Sequence, residues 1–492
     1  MLKIENKKFF LLFIFIIFIY IFLLFNKEDF HLDESTSFIL STYNSYGFNK
    51  HFDEDILYSS QDIIRMMYGY TDSIGSTFHD IYSLYLDNRD RPHTNFYYSL
   101  LRLALFNNSD DSLQSLTIRA SLLNIVISIL SFIIFFYISK KLFKTDSAII
   151  TAITLAFLSP AAFSSVLFFR PYHLQSLFFI IGIYIFYNLI EEINNRPNIN
   201  FTENIKKSTI YSFLISLIIL TGYFSLLYIF PFFIILIYIS YIKNKNTIPL
   251  IIYISLLSII FTFILYPKYF YGFFSDRASE ALTLTTANNF FHNIINSLTA
   301  FWKIISFFLC GTTGLIFIII FMIYNRKNIS SFFWIGLITS SITFSLCSII
   351  LAPYKTLRYI MPVFPIYALI ITQALDLKNK HQYKIFSILI LFLFTNLFFT
   401  TPEHYLTKIK NVPANGIIIT SRKNPWKPAS LAPYVHGKYS FKSSCPPQNW
   451  YMSQAVGNIF FIDDQCLKNI PNDYVDIKFF NDFYKIGIRK PY

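Results

Sequence analysis

The sequence predicts an all-α polytopic membrane protein of about eleven transmembrane helices. The N-terminus is expected inside and the C-terminus outside. A long first outer loop with juxtamembrane helices and a small α+β extracytoplasmic C-terminal domain complete the expectation. Three observations carry it. Hydrophobic residues make up 54% of the 492-residue chain and charged residues only 14%, against about 25% charged in soluble domains. Mean hydropathy is +0.47, which excludes a cytosolic enzyme, a disordered chain and a fibrous repeat. Basic residues gather in alternate connections between apolar runs, which gives the chain a direction.

A bilayer core about 30 Å thick takes about 20 apolar residues per helix. Such runs fall at 9–25, 119–138, 147–167, 174–190, 208–221 and 223–241. Others follow at 247–266, 301–324, 331–351, 358–374 and 385–399. The stretch 210–241 is a special case, because one helix there would be about 48 Å long and overshoot the core. Thr221-Gly222 offers a break. Two spans also keep the later basic clusters on one side. With Lys3, Lys7 and Lys8 inside, the inner segments hold 16 basic residues against 6 acidic ones.

The run 9–25 follows a basic start, is longer than a usual signal segment and lacks an A-x-A cleavage pattern, so it reads as an uncleaved anchor. The outer side then receives the first loop, 26–118, a fourth loop, 267–300, and a tail, 401–492. Residues 1–400 form the transmembrane domain and 401–492 the extracytoplasmic one. Half of the 28 Asp and Glu lie in the first loop. Exclusion of Lys and Arg from translocated loops explains missing bases better than gathered acids. Of four cysteines, Cys310 and Cys347 fall in spans, and Cys445 and Cys466 in the tail, where a disulfide is chemically allowed. Ile417–Thr420 and Ile459–Ile462 read as short buried strands. No metal-ligand spacing and no phosphate-cradling glycine loop appears, and no nucleic-acid partner is expected.

Chemistry-bearing residues cluster at the outer ends of the spans. Asp33-Glu34 follows the first span, and a carboxylate there is placed to act as a base or to hold a metal. A solvated helix cap is the plain alternative. His93, Tyr97, Tyr98 and Arg102 open a segment, 96–106, that is too short to cross and suits an interfacial helix. Arg170 lies in Phe168-Phe169-Arg170-Pro171-Tyr172-His173, where an arginine needs a partner or a headgroup. Snorkelling would also satisfy it. Lys355 and Arg358 break the positive-inside trend, which suggests an anion. Asp276, Arg277 and Glu280 are weaker candidates.

The order of these features resembles the polyprenyl-phosphate-sugar-dependent glycosyltransferases of the C superfold. The branch is that of family 39, near protein O-mannosyltransferases and lipid A aminoarabinose transferases. The resemblance rests on Asp33-Glu34, on His93–Leu103 as the family's H-P-P-L-Y-Y-x-L-L-R-L pattern, on Ser159-Pro160, on Arg170-Pro171-Tyr172 and on Arg358-Tyr359-Ile360-Met361-Pro362. Thr94-Asn95 replaces the two prolines. The second outer loop lacks the acid that many relatives carry, which counts against a bound divalent metal.

This resemblance implies an integral membrane glycosyltransferase of the cytoplasmic (inner) membrane. Its partners would be a polyprenyl-phosphate-linked sugar donor, the bilayer, and a lipid, glycan or protein acceptor of the envelope. Transfer would be inverting and extracytoplasmic. Asp33 would act as general base with Glu34 beside it. Arg170, Arg358, Lys355 and His93 would bind the donor phosphate. Tyr97, Tyr98 and Tyr172 would position the acceptor or its loop. The competing classes are a transporter or flippase for a lipid-linked glycan, a hydrolase of such glycans, and a non-catalytic envelope scaffold. The spans carry few polar residues near their centres, which disfavours an ion-coupled carrier.

Overall fold

The computed structural model describes residues 7–27, 31–43, 58–59, 62, 73–88, 93–106, 113–195, 201–274, 279, 283, 290–308, 311–325, 331–352 and 355–375. In the tail it describes 416–419, 439–442, 445–453, 459–469, 474–481 and 484–489. The chain divides into two compact units. The first comprises Met1–Phe25, Tyr85–Tyr97 and Ser121–Pro402, and the second Asn26–Leu84, Tyr98–Ala120 and Glu403–Tyr492.

Among the described residues, six helices are long and apolar enough to cross a membrane, or seven if one bent pair is a single span. Lys7–Phe25, Leu113–Leu142, Tyr172–Asn195, Ser225–Lys243, Ile248–Leu265 and Phe332–Leu351 are these helices. The stretch 210–241 divides as its composition predicts, into Phe201–Ile219 and Ser225–Lys243. Helix Phe201–Ile219 packs on Ile248–Leu265, Ser225–Lys243 on Phe332–Leu351, and Asp146–Phe157 on Phe364–Leu375. Rings fill the spaces between them. Phe179 stacks on Tyr228 at 4.0 Å, and the Tyr228 hydroxyl donates to the Phe179 carbonyl at 3.0 Å. Gly336 permits a close approach, since a Cβ there would lie 2.5 Å from Phe186.

Three expected spans are built differently. The run 147–167 is a bent pair, Asp146–Phe157 and Pro160–Leu167, turning by 48°. Pro160 has no N–H to continue the first helix, and the Ser159 hydroxyl caps the second by accepting from Ala162 N–H at 3.2 Å. The break frees the Phe157 carbonyl, which accepts from the Tyr20 hydroxyl at 2.6 Å. The run 301–324 is shared by helices Phe290–Phe308 and Gly311–Tyr324. Gly311 and Gly314, weak helix formers, open the second of them. The run 358–374 starts as two 3-10 turns, Leu357–Tyr359 and Met361–Val363, and becomes α-helical only over Phe364–Leu375. Pro362 and Pro365 both fall in these first turns, where a missing N–H costs a helix least. The run 385–399, Cys310, Asp276, Arg277 and Glu280 lie outside the described residues.

The second unit holds helices Leu32–Ser41 and Ile74–Leu86 and a six-stranded mixed sheet. Its strands are β1 (Tyr58–Ser59), β2 (Gly416–Ile419), β3 (Tyr439–Lys442), β4 (Ile459–Asp463), β5 (Tyr474–Asn481) and β6 (Tyr484–Arg489), in the order β1-β3-β2-β4-β6-β5. β2 runs parallel to β3 and β4, while β4–β6, β5–β6 and β1–β3 are antiparallel. The strands read at 417–420 and 459–462 are thus β2 and β4. β1 comes from the first outer loop and pairs Tyr58 with Phe441 of the tail.

Cys445 and Cys466 form a disulfide with Cα atoms 5.1 Å apart. Their separation of 21 residues sets the loop that the bond closes. Cys445→Ser is expected to destabilise this unit by about 3 kcal/mol through loop-closure entropy. Thermal unfolding of the variant beside the wild type, without reductant, measures it.

Candidate functional site

The carboxylates after the first apolar helix belong to a capped helix N-terminus. His31 is the N-cap of Leu32–Ser41, with extended backbone and its Nδ1 accepting from the Asp33 N–H at 3.1 Å. Glu34 closes the capping box: its Oε2 accepts the His31 N–H at 2.7 Å. Asp33 and Glu34 both sit in the first turn, where the helix dipole favours negative charge.

Their environments differ. The Glu34 side chain is fully buried and its two oxygens each lie 3.1 Å from the ammonium of Lys27, itself buried. Asp33 keeps 27% of its side chain exposed. His31 Nδ1 is 3.7 Å from Asp33 Oδ2. Because that nitrogen accepts the Asp33 N–H, its lone pair points there, so the imidazole proton belongs on Nε2 and the contact is not an ion pair. The adjacent carboxylates thus differ: Glu34 is buried against Lys27, whereas Asp33 keeps part of its side chain exposed.

A second buried ion pair lies in the same unit. Arg102 Nε donates to Asp80 Oδ2 at 2.7 Å, both side chains being fully buried. It joins helix Ile74–Leu86 to the short helix Phe96–Ala104. Tyr97 and Tyr98 of that helix are also buried.

The first unit gathers another set of the predicted residues. The His93 ring meets Tyr172 edge-on at 5.4 Å, and Tyr172 meets Tyr359 edge-on at 6.2 Å. Tyr172 also stacks on Phe168 at 5.9 Å. The Arg358 guanidinium lies over the Tyr359 ring at 5.2 Å, and its Nη2 donates to the Tyr359 hydroxyl at 3.4 Å. His93, Tyr172, Tyr359 and Arg358 thus form one continuous row. Arg170 is buried in the turn before Tyr172, its N–H bonded to the Phe168 carbonyl at 2.7 Å. The segment before the short helix is anchored by Asn88, which donates to the His93 carbonyl at 2.9 Å, and by the Thr94 hydroxyl on the Leu220 carbonyl. The Thr94 hydroxyl supplies an anchor that a proline in its place would lack.

Lys355 is engaged elsewhere. Its ammonium donates to the carbonyls of Ile349 at 2.6 Å, Ile350 at 3.1 Å and Ala352 at 2.9 Å, capping helix Phe332–Leu351. Partial burial lowers its pKa. Among the described residues no group of three His, Cys, Asp or Glu could hold a metal ion.

Sequence reasoning missed Lys27, Asp80 and His173. His173 is buried between two hydroxyls, with Ser128 Oγ 2.8 Å from Nε2 and Ser165 Oγ 3.2 Å from Nδ1. The spacing of His31 and Glu34 was the available signal for the capping box, disguised because histidine is an uncommon N-cap beside Ser, Thr, Asp or Asn.

No family model and no curated protein matches the chain. Among solved structures it is similar to the crystal structure of ArnT from Cupriavidus metallidurans bound to undecaprenyl phosphate. The two are 9% identical with a TM-score of 0.49, over 92% of this chain and 96% of that one.

Proposed function

We propose that this protein is an integral membrane glycosyltransferase. It moves a sugar from a polyprenyl-phosphate carrier to an envelope acceptor on the outer face of the cytoplasmic membrane, with inversion. The observation that carries the reading is the division of labour between Asp33 and Glu34. Asp33 takes the proton of the acceptor hydroxyl as general base. The acceptor oxygen bonds to the anomeric carbon while the bond from that carbon to the lipid phosphate breaks. Arg358 and Arg170 stabilise the negative charge of the departing phosphate, with His93 assisting and Tyr172 holding the row in place. Tyr97 and Tyr98 act by fixing the short helix. Lys355 assists if it leaves the carbonyls it caps.

Pairing of β1 with β3 supports a common side for the acidic loop and the tail. Strands that share hydrogen bonds lie on one side of a membrane, so the chain crosses an even number of times between residues 59 and 439. Single cysteines placed at Ser59 and Lys468 are expected to react alike with a membrane-impermeant maleimide added outside intact cells. Labelling of only one of them, in a protein of normal stability, contradicts this topology.

The direct test is mass spectrometry of envelope glycans and glycolipids from cells making wild type, no protein, or Asp33→Asn. Loss of one and the same sugar in the last two supports transfer, and its mass names the donor class. Release of free sugar without an acceptor would instead mark a hydrolase.

A further inference from the structure

Lys27 lies just beyond the first apolar helix, and the proposed chemistry leaves it without a role. Its buried ammonium is 3.1 Å from each Glu34 oxygen. From that pair, contacts run without a gap to Asp33. Glu34 Oε2 accepts the His31 N–H at 2.7 Å, and His31 Nδ1 accepts the Asp33 N–H at 3.1 Å. A buried ion pair stabilises a fold poorly compared with apolar side chains of similar volume, while it fixes geometry tightly.

We infer that Lys27 and His31 are positioning residues for Asp33. Lys27 locks the Glu34 carboxylate, Glu34 locks the His31 backbone, and His31 sets the first turn from which the Asp33 carboxylate projects. This rests on the proposed role of Asp33 and adds the residues on which its placement depends.

The test uses full-length protein in membranes of the deletion strain, with lipid extract from that strain as donor source. Protein level and thermal stability are measured for every variant. Replacing both partners, Lys27→Met with Glu34→Met, removes the ion pair without leaving a lone buried charge. Its maximal rate is expected to fall about 10- to 100-fold at wild-type stability. The amount of extract giving half-maximal rate should stay within about twofold, because donor binding is not the step affected. His31→Asn preserves an N-cap acceptor and should keep most of the rate, whereas His31→Ala should lose it.

Wild-type rates in the double variant and in His31→Ala overturn the inference and leave the relay a purely structural device. His31→Ala decides alone if the double variant does not fold. Asp33→Asn is the control for the underlying reading. A wild-type rate there refutes the base assignment itself, whereas an inactive Asp33→Asn beside active relay variants refutes only the positioning.

Discussion

Asp33→Asn is expected to yield a folded, inserted protein that no longer transfers sugar. The His31 cap contacts the Asp33 backbone N–H rather than its carboxylate, so the substitution keeps the capping box intact. Asn is close in size and still polar at a partly exposed position. What disappears is a group able to accept a proton, and loss of a general base slows such reactions about 10²- to 10⁴-fold. The readout is the amount of sugar-bearing product at equal protein level. Glu34→Gln should behave differently, since it leaves Lys27 charged and buried without its partner, and its first effect is on folding. Wild-type product from Asp33→Asn would remove Asp33 as the base and leave the functional proposal without its central residue.

Breaking the Asp80–Arg102 pair is expected to have the largest effect on stability. Both side chains are fully buried and joined at 2.7 Å. Asp80→Ala strands a guanidinium in the interior at a cost of about 3–5 kcal/mol, comparable with the whole stability of many domains. Asp80→Leu with Arg102→Met replaces both charges by apolar groups and should recover most of that loss. Thermal unfolding in detergent, followed for the two variants and the wild type, separates these outcomes. A single variant within about 0.5 kcal/mol of wild type, the range of ordinary surface substitutions, would show that the pair is not what joins the two helices.

Legibility in the sequence followed the range of the interactions concerned. The break near Thr221 was readable because excessive length and a Gly are local signals. The bend at Ser159-Pro160 carried an equally local signal, yet apolarity ran on through it and made one span the simpler reading. The late helix likewise begins at Phe364, after two 3-10 turns that apolarity alone does not reveal. Of the candidate site residues, Arg358, His93 and Tyr172 drew notice as polar or aromatic groups at the ends of apolar runs. Their assembly into one row was invisible, since Tyr172 and Tyr359 are far apart in the chain and meet only through packing. Asp33 and Glu34 were told apart only by the family resemblance, since no periodicity distinguishes neighbours in one helical turn.

The sequence by itself determined that this is a membrane protein of many spans, where its main apolar helices run, and that acids and bases collect at their ends. Composition and hydropathy suffice for this, because the bilayer imposes the same requirement on each span separately. The tertiary structure alone decided that Lys27 meets Glu34 in a buried pair while Asp33 stays partly exposed. It also decided that Asp80 answers Arg102, and that the first loop contributes a strand to the sheet of the tail. Each of these depends on a pairing that no regular spacing in the sequence marks, and burial makes that pairing obligatory: a charge or a strand edge removed from water must meet its complement.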